Sequence, residues 1–135
     1  MPARGVLTGN LDTLTDAERR VTEDLLASGR NVELIPRGTN RTPDFKIDGV
    51  LHELKTISGV RKTDIEALSG SLSSRIMQGR GQADHILIDA RDQLGMTREV
   101  AEKGIKRAYG ADLLKGEKIQ SVRVIGNGFD ITVRK

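Results

Sequence analysis

Residues 42–56 read TPDFKIDGVLHELKT, and the Asp48-Gly49 pair at the centre constrains the fold more than any other stretch. Asp-Gly between alternating apolar and polar residues is the signature of a type I′ hairpin turn, which needs positive φ at both central positions. A two-residue loop also fixes the register: Ile47 faces Val50, Lys46 faces Leu51, Phe45 faces His52 and Asp44 faces Glu53. Because side chains alternate, Phe45, Ile47, Val50 and Leu54 share an apolar side with His52 among them, while Asp44, Glu53 and Lys55 share the other. Two carboxylates directly opposed on paired strands have Cβ atoms about 5 Å apart and repel, so something should compensate them.

A hard divalent cation suits that position. Two carboxylates and a backbone carbonyl offer the oxygen ligands that Mg²⁺ prefers, with Mn²⁺ or Zn²⁺ as substitutes, and leave sites for water and phosphate. Lys55 could then handle the attacking water's proton or stabilise charge on an attacked phosphate. The plainer alternative is an amphipathic hairpin whose wet face carries Lys46 and Lys55 as weak partners of the acids.

The flanking segments alternate helix and strand signals. Thr15-Asp16-Ala17-Glu18 is a capping box opening a helix with Ala17, Val21, Leu25 and Leu26 inward, stopped by Gly29. Val32, Leu34 and Ile35 suggest a strand before Pro36, followed by a polar loop to Pro43. A second T-x-x-E, Thr63 to Glu66, begins a helix with Ile65, Leu68, Leu72 and Ile76 on one face, leaving Ser69, Ser71, Ser73 and Ser74 on the exposed side. His85 to Asp89 is an apolar run typical of a strand covered on both faces. A third helix is expected over Thr97 to Tyr109, then a hairpin of 119–125 and 129–133 turned at Asn127-Gly128. In 135 residues with 36 % apolar content this predicts one domain, an α/β (α+β) mixed sheet flanked by helices, with residues 1–13 as a leader, 14–92 as the core and 93–135 as a closing helix and hairpin.

The hairpin also matches a known pattern. Pro43-Asp44 followed by Glu53-Leu54-Lys55 resembles the PD-(D/E)xK nuclease motif, whose restriction-endonuclease-like core runs helix, three strands, helix, strand. Glu18, Val21, Leu25 and Gly29 resemble that family's first helix, and SLSSRIMQGRGQADHILIDAR (71–91) resembles the second helix and fourth strand of nuclease toxin domains at the C-termini of contact-dependent growth inhibition and other polymorphic toxin proteins. The resemblance spans roughly residues 15–92. It implies Asp44 and Glu53 as metal ligands, Lys55 as catalytic lysine, and Glu18 as an additional ligand, although capping alone explains a Glu at 18; Glu23, with solvent exposure expected, is the fallback. Arg75 and Gln78, off the apolar face of the second helix, either reach the site or are solvated. Asp48 is a turn residue, and Asp89 with Arg91 is read as structural.

Other chemistries find little support. There is no cysteine, no phosphate-cradling GxxxxGK[ST], no nucleophile elbow, and His52 and His85 are both expected in apolar surroundings. No apolar run is long enough to span a membrane, and MPARGVLTGN lacks a secretory h-region. A net charge of +3 and three aromatic residues favour electrostatic contact with nucleic acid over base stacking. Arg37 and Arg41 before the hairpin, and Arg61 and Lys62 after it, could ring the acids as phosphate contacts or be ordinary loop residues. The expected activity is a metal-dependent nuclease delivered on a larger secreted or surface protein into the target-cell cytoplasm, with structured RNA, above all tRNA, as substrate and a cognate immunity protein as partner. DNA cleavage, including a junction-resolvase-like role, and an inert nucleic-acid-binding module are the competitors.

Overall fold

The computed structural model describes residues 3–35 and 44–135, apart from the side chains of Thr13 and Asp44. The elements run β1 (Leu7–Thr8), a 3₁₀ turn (Leu11–Thr13), α1 (Asp16–Ala27), β2 (Val32–Ile35), β3 (Asp44–Ile47), β4 (Val50–Thr56), α2 (Ile65–Gln78), β5 (His85–Asp89), α3 (Arg98–Leu114), β6 (Ser121–Gly126) and β7 (Phe129–Arg134). This is a mixed α/β fold, as expected, and α1 to β5 follow the helix, three strands, helix, strand order. The chain divides into two compact units, Met1–His52 and Glu53–Lys135, with the boundary inside β4.

In the first unit α1 begins at the predicted capping box. Thr15 Oγ1 accepts from the Glu18 N–H at 3.1 Å and Glu18 Oε1 accepts from the Thr15 N–H at 2.9 Å, satisfying two donors that a helix start leaves open. Val21, Leu25 and Leu26 are buried. Within the leader β1 pairs in parallel with β2, which pairs antiparallel with β3. The β3–β4 hairpin has the expected register, Phe45↔His52, Lys46↔Leu51 and Ile47↔Val50. Asp48 and Gly49 have φ of 51° and 82°, the two positive values that a type I′ turn requires. The Asn31 N–H, at 2.8 Å, and the Arg30 guanidinium hold the Asp48 carboxyl below its ordinary range, so the turn acid is an anchor. Phe45 and Ile47 are buried, whereas Val50, expected beside them, is exposed.

In the second unit Leu68, Leu72 and Ile76 of α2 pack with Ile86 and Ile88 of β5 and with Val100, Ala101, Ile105 and Ala108 of α3. The cap of α2 is Asp64, not Thr63: its carboxylate accepts from the Ala67 N–H at 3.1 Å. Two adjacent cap-forming residues compete there, and the carboxylate won. With the helix starting at Ile65, that residue lies on the rim and is exposed. Ser69 is fully buried rather than exposed, because Arg107 of α3 donates to its Oγ at 2.9 Å. The third helix is capped by Thr97 but continues past Tyr109 to Leu114. It is the crossover that lets β5 and β6 pair in parallel. Then β6 and β7 form the closing hairpin through Asn127-Gly128.

Two contacts set this unit's geometry. Gly104 lets α3 lie against α2 so closely that a Cβ there would be 2.7 Å from Leu72 Cδ2. Beyond the end of α3's apolar stripe, Asp112 is buried. Its Oδ1 accepts from Arg80 Nε at 2.6 Å and from the Lys118 N–H at 3.0 Å, and its Oδ2 accepts from the Ile119 N–H at 3.0 Å. Burial pushes the Asp112 carboxyl up, but the Arg80 hydrogen bond and the Ile119 and Lys118 amides outweigh it and hold the group below the usual carboxylate range.

Both contacts predict measurable effects. Gly104→Ala, which in an open helix would stabilise by about 1 kcal/mol, should destabilise by about 1–3 kcal/mol in urea titration because Leu72 must move. Gly110→Ala on the same helix, where a Cβ meets nothing within 4 Å, should stabilise. Asp112→Asn should cost about 3 kcal/mol at neutral pH. A carboxyl whose pKa is depressed on folding contributes stability above its unfolded value, about 3.9, and loses it as pH falls through the folded value. The melting temperature of the wild type should therefore drop below about pH 4, and that drop should be shallower in Asp112→Asn.

Candidate active site

Glu53 and Lys55 occupy alternate positions of β4 and so point to one side of the strand. Lys55 Nζ lies 3.7 Å from Glu53 Oε1, an ion pair longer than a hydrogen bond. Their surroundings differ from a wet hairpin face. Glu53 is only 5 % exposed, and the Lys55 side chain is 24 % exposed. Burying a carboxylate is costly unless it is paired or holds a cation, so a shielded Glu beside a reachable ammonium is not a default surface arrangement.

The shielding comes from the end of α2. Gly79, the C-cap residue, is buried, and a Cβ on it would stand 3.1 Å from Glu53 Cγ and 3.5 Å from Ile86 Cδ1. Arg80 then leaves the helix to reach Asp112 and the Lys115 carbonyl. Before this end, Arg75 NH1 donates to Gln78 Oε1 at 2.9 Å, so the two polar residues assigned to substrate on α2 hold each other.

The other expected site residues are placed unevenly. Asp44 is the first residue of β3, opposite Ile35, with its side chain outside the described residues. Arg37 and Arg41 lie outside them altogether. Glu18 is buried and its carboxylate is held by the Thr15 amide of the capping box. Glu23, the fallback, binds Arg4 at 2.8 Å on the surface. Among the described residues no three His, Asp or Glu side chains gather as a metal shell. The donor chemistry of Glu53 suits a hard cation, because a carboxylate oxygen is the ligand type that Mg²⁺ prefers. Asp89 is buried and chelated by Arg91, whose Nε donates at 2.9 Å, in keeping with a structural role. His85 shares a 2.7 Å hydrogen bond with Ser121 Oγ and His52 one of 2.8 Å with the Val50 carbonyl. Sequence reasoning had not singled out Gly79, Arg80 or Asp112, because their contacts join the end of α2 to β4 and α3, which are distant along the chain.

A family model described as the contact-dependent growth inhibition CdiA C-terminal domain matches residues 41–131. The chain belongs to this family of toxin domains. The match takes in Asp44, Glu53, Lys55, Arg75 and Gln78, and it continues through α3 and β6 into β7, well past the stretch where motifs were visible in sequence. Neither curated proteins nor solved structures gave a match. A CdiA C-terminal domain is the delivered toxin part of a larger surface protein, is often a nuclease or another enzyme, and pairs with an immunity protein. Among the described residues no helix is long and apolar enough to cross a membrane.

Family membership makes toxicity testable directly. Expression of the wild-type chain alone in bacteria should arrest growth, and co-expression of its immunity protein should restore it, as read by colony counts. Normal growth at high expression without a partner would contradict a toxic role.

Proposed function

We propose that this CdiA C-terminal domain is a metal-dependent endonuclease of the PD-(D/E)xK type. The observation that carries the proposal is the shielded Glu53 with the Lys55 ammonium 3.7 Å away on the same side of β4. The family match supports it, since residues 41–131 take in Asp44, Glu53 and Lys55.

Glu53 would hold the cation, with Asp44 the further ligand that the nuclease motif implies, and Glu18 keeps its capping role. A bound Mg²⁺ or Mn²⁺ supplies Lewis acidity at the phosphate and at the attacking water. The chain's own contributions are positional and electrostatic. Glu53 has limited freedom because the end of α2 covers it. Lys55 is close to that carboxylate and partly exposed, so its ammonium can face the negative charge that accumulates on a phosphate under attack. Arg61 and Lys62, exposed after β4, suit neighbouring phosphates of the substrate.

Structured RNA, with tRNA foremost, is the favoured substrate. One tyrosine and two phenylalanines give little stacking surface; Phe45 is buried and Phe129 packs on the core. Recognition by shape and phosphate fits such a surface better than base reading. DNA is the competing substrate, since the same groups hydrolyse either backbone.

The decisive experiment incubates purified protein with total RNA and with plasmid, adding Mg²⁺, Mn²⁺ or Zn²⁺ or a chelator. Cleavage that needs metal and stops with chelator is expected, with tRNA consumed before plasmid is nicked; cleavage indifferent to chelator would refute the metal requirement. Asp44→Ala, Glu53→Ala and Lys55→Ala should each abolish cleavage while keeping the fold, and in the two carboxylate variants metal-free stability should hold or rise by up to about 1 kcal/mol because one of two like charges is gone. Lys55→Arg should also fail, since a guanidinium cannot take the compact position of an ammonium. Wild-type rates in any of these variants would reject the assignment.

A further inference from the structure

Gly79 has no conformational reason to be glycine. Its φ of −83° and ψ of −9° are right-handed helical values that any L residue adopts, and alanine there would ordinarily help the end of a helix. What distinguishes the position is space. A Cβ would sit 3.1 Å from Glu53 Cγ, closer than side chains normally pack, whereas its distances to Ile86 Cδ1 and the Ile76 carbonyl, 3.5 Å each, are ordinary contacts. The one group crowded by a side chain at 79 is therefore the stem of Glu53. Nor can the helix end withdraw easily, because the next residue, Arg80, is tied to buried Asp112 and to the Lys115 carbonyl.

We propose that Gly79 is a positioning residue for Glu53: its missing side chain makes the seat in which the Glu53 stem rests, and the seat fixes where the carboxylate stands relative to Lys55. This rests on Glu53 being the metal ligand. Any side chain at 79 displaces the Glu53 stem by a few tenths of an ångström, and a metal ligand is sensitive to shifts of that size.

The contact itself is read without metal or activity, by a double-mutant cycle in urea. Gly79→Ala should lower the unfolding midpoint in the wild-type background. In Glu53→Ala, which has no Cγ to crowd, the same change should leave the midpoint unchanged or raise it. Equal effects in both backgrounds would show that the crowding is not with Glu53 and would overturn the inference. If Gly79→Ala does not fold on its own, recovery of folding in the double variant supports the same conclusion and continued failure overturns it.

The positioning role is read by Mn²⁺ binding, followed through the electron paramagnetic resonance of the free ion. Gly79→Ala should weaken binding about tenfold, the scale of losses when groups that orient a ligand are disturbed, with KM for nucleic acid within about twofold of wild type. Gly110→Ala, a glycine-to-alanine change into open space, should bind Mn²⁺ and cleave as wild type. Wild-type Mn²⁺ affinity in Gly79→Ala would overturn the inference alone. Wild-type protein that neither binds Mn²⁺ nor cleaves would overturn the assignment of Glu53 beneath it, a distinct result.

Discussion

The buried carboxylate of Asp112 organises the larger unit. A lone buried carboxylate would be strongly disfavoured, so its three partners are a condition of its being there. Arg80 brings a charge from the loop after α2, and the amides of Lys118 and Ile119 bring the backbone that leads into β6. One side chain thus determines where α3 gives way to the turn, where β6 begins and where the chain leaves α2. Residues 115–117 close around it, with the Glu117 N–H returning to the Asp112 carbonyl at 2.9 Å. The position of Gly79, and through it the covering of Glu53, follows from that network.

Glu18 and Glu53 are both shielded acids, and their contacts rather than their burial distinguish them. The first has an amide partner within its own helical turn, which explains it without a ligand; the second has a lysine at 3.7 Å and a glycine-backed stem. Asp89 and Arg91 chelate each other within one turn of chain, while Glu66 bridges Lys103 and Arg107 across α2 and α3. Such pairs account for much of the charge that a sequence with 30 % ionisable residues offers as candidate sites.

Local chemistry was legible in the sequence and distant chemistry was not. Asp48-Gly49, Asn127-Gly128 and the Thr15 capping box specify their own geometry within four residues, and each stands where the pattern put it. The strand at 85–89 and the inward faces of α2 and α3 were equally readable from periodicity. Thr63 and Asp64 were adjacent cap-formers between which spacing alone could not choose. Ser69 was misjudged because its burial depends on Arg107, 38 residues away, and the end of α3 because Asp112 is held by groups outside the helix. At the site, alternation along β4 put Glu53 and Lys55 on one side, but the shielding of Glu53 comes from α2. No periodicity within the hairpin encodes that.

Within each unit the strands pair in chain order, and this bears on how fast the chain can fold. Hairpins close loops of two residues at 48–49 and 127–128, and the parallel pair β5–β6 is bridged by a helix that can form on its own contacts with α2. The hairpins close at little entropic cost, whereas the parallel β5–β6 pair must wait for the helix that bridges it and is the slower step. For a toxin domain carried into another cell on a larger protein, that step sets how long the apolar run of β5 stays open to the recipient's proteases.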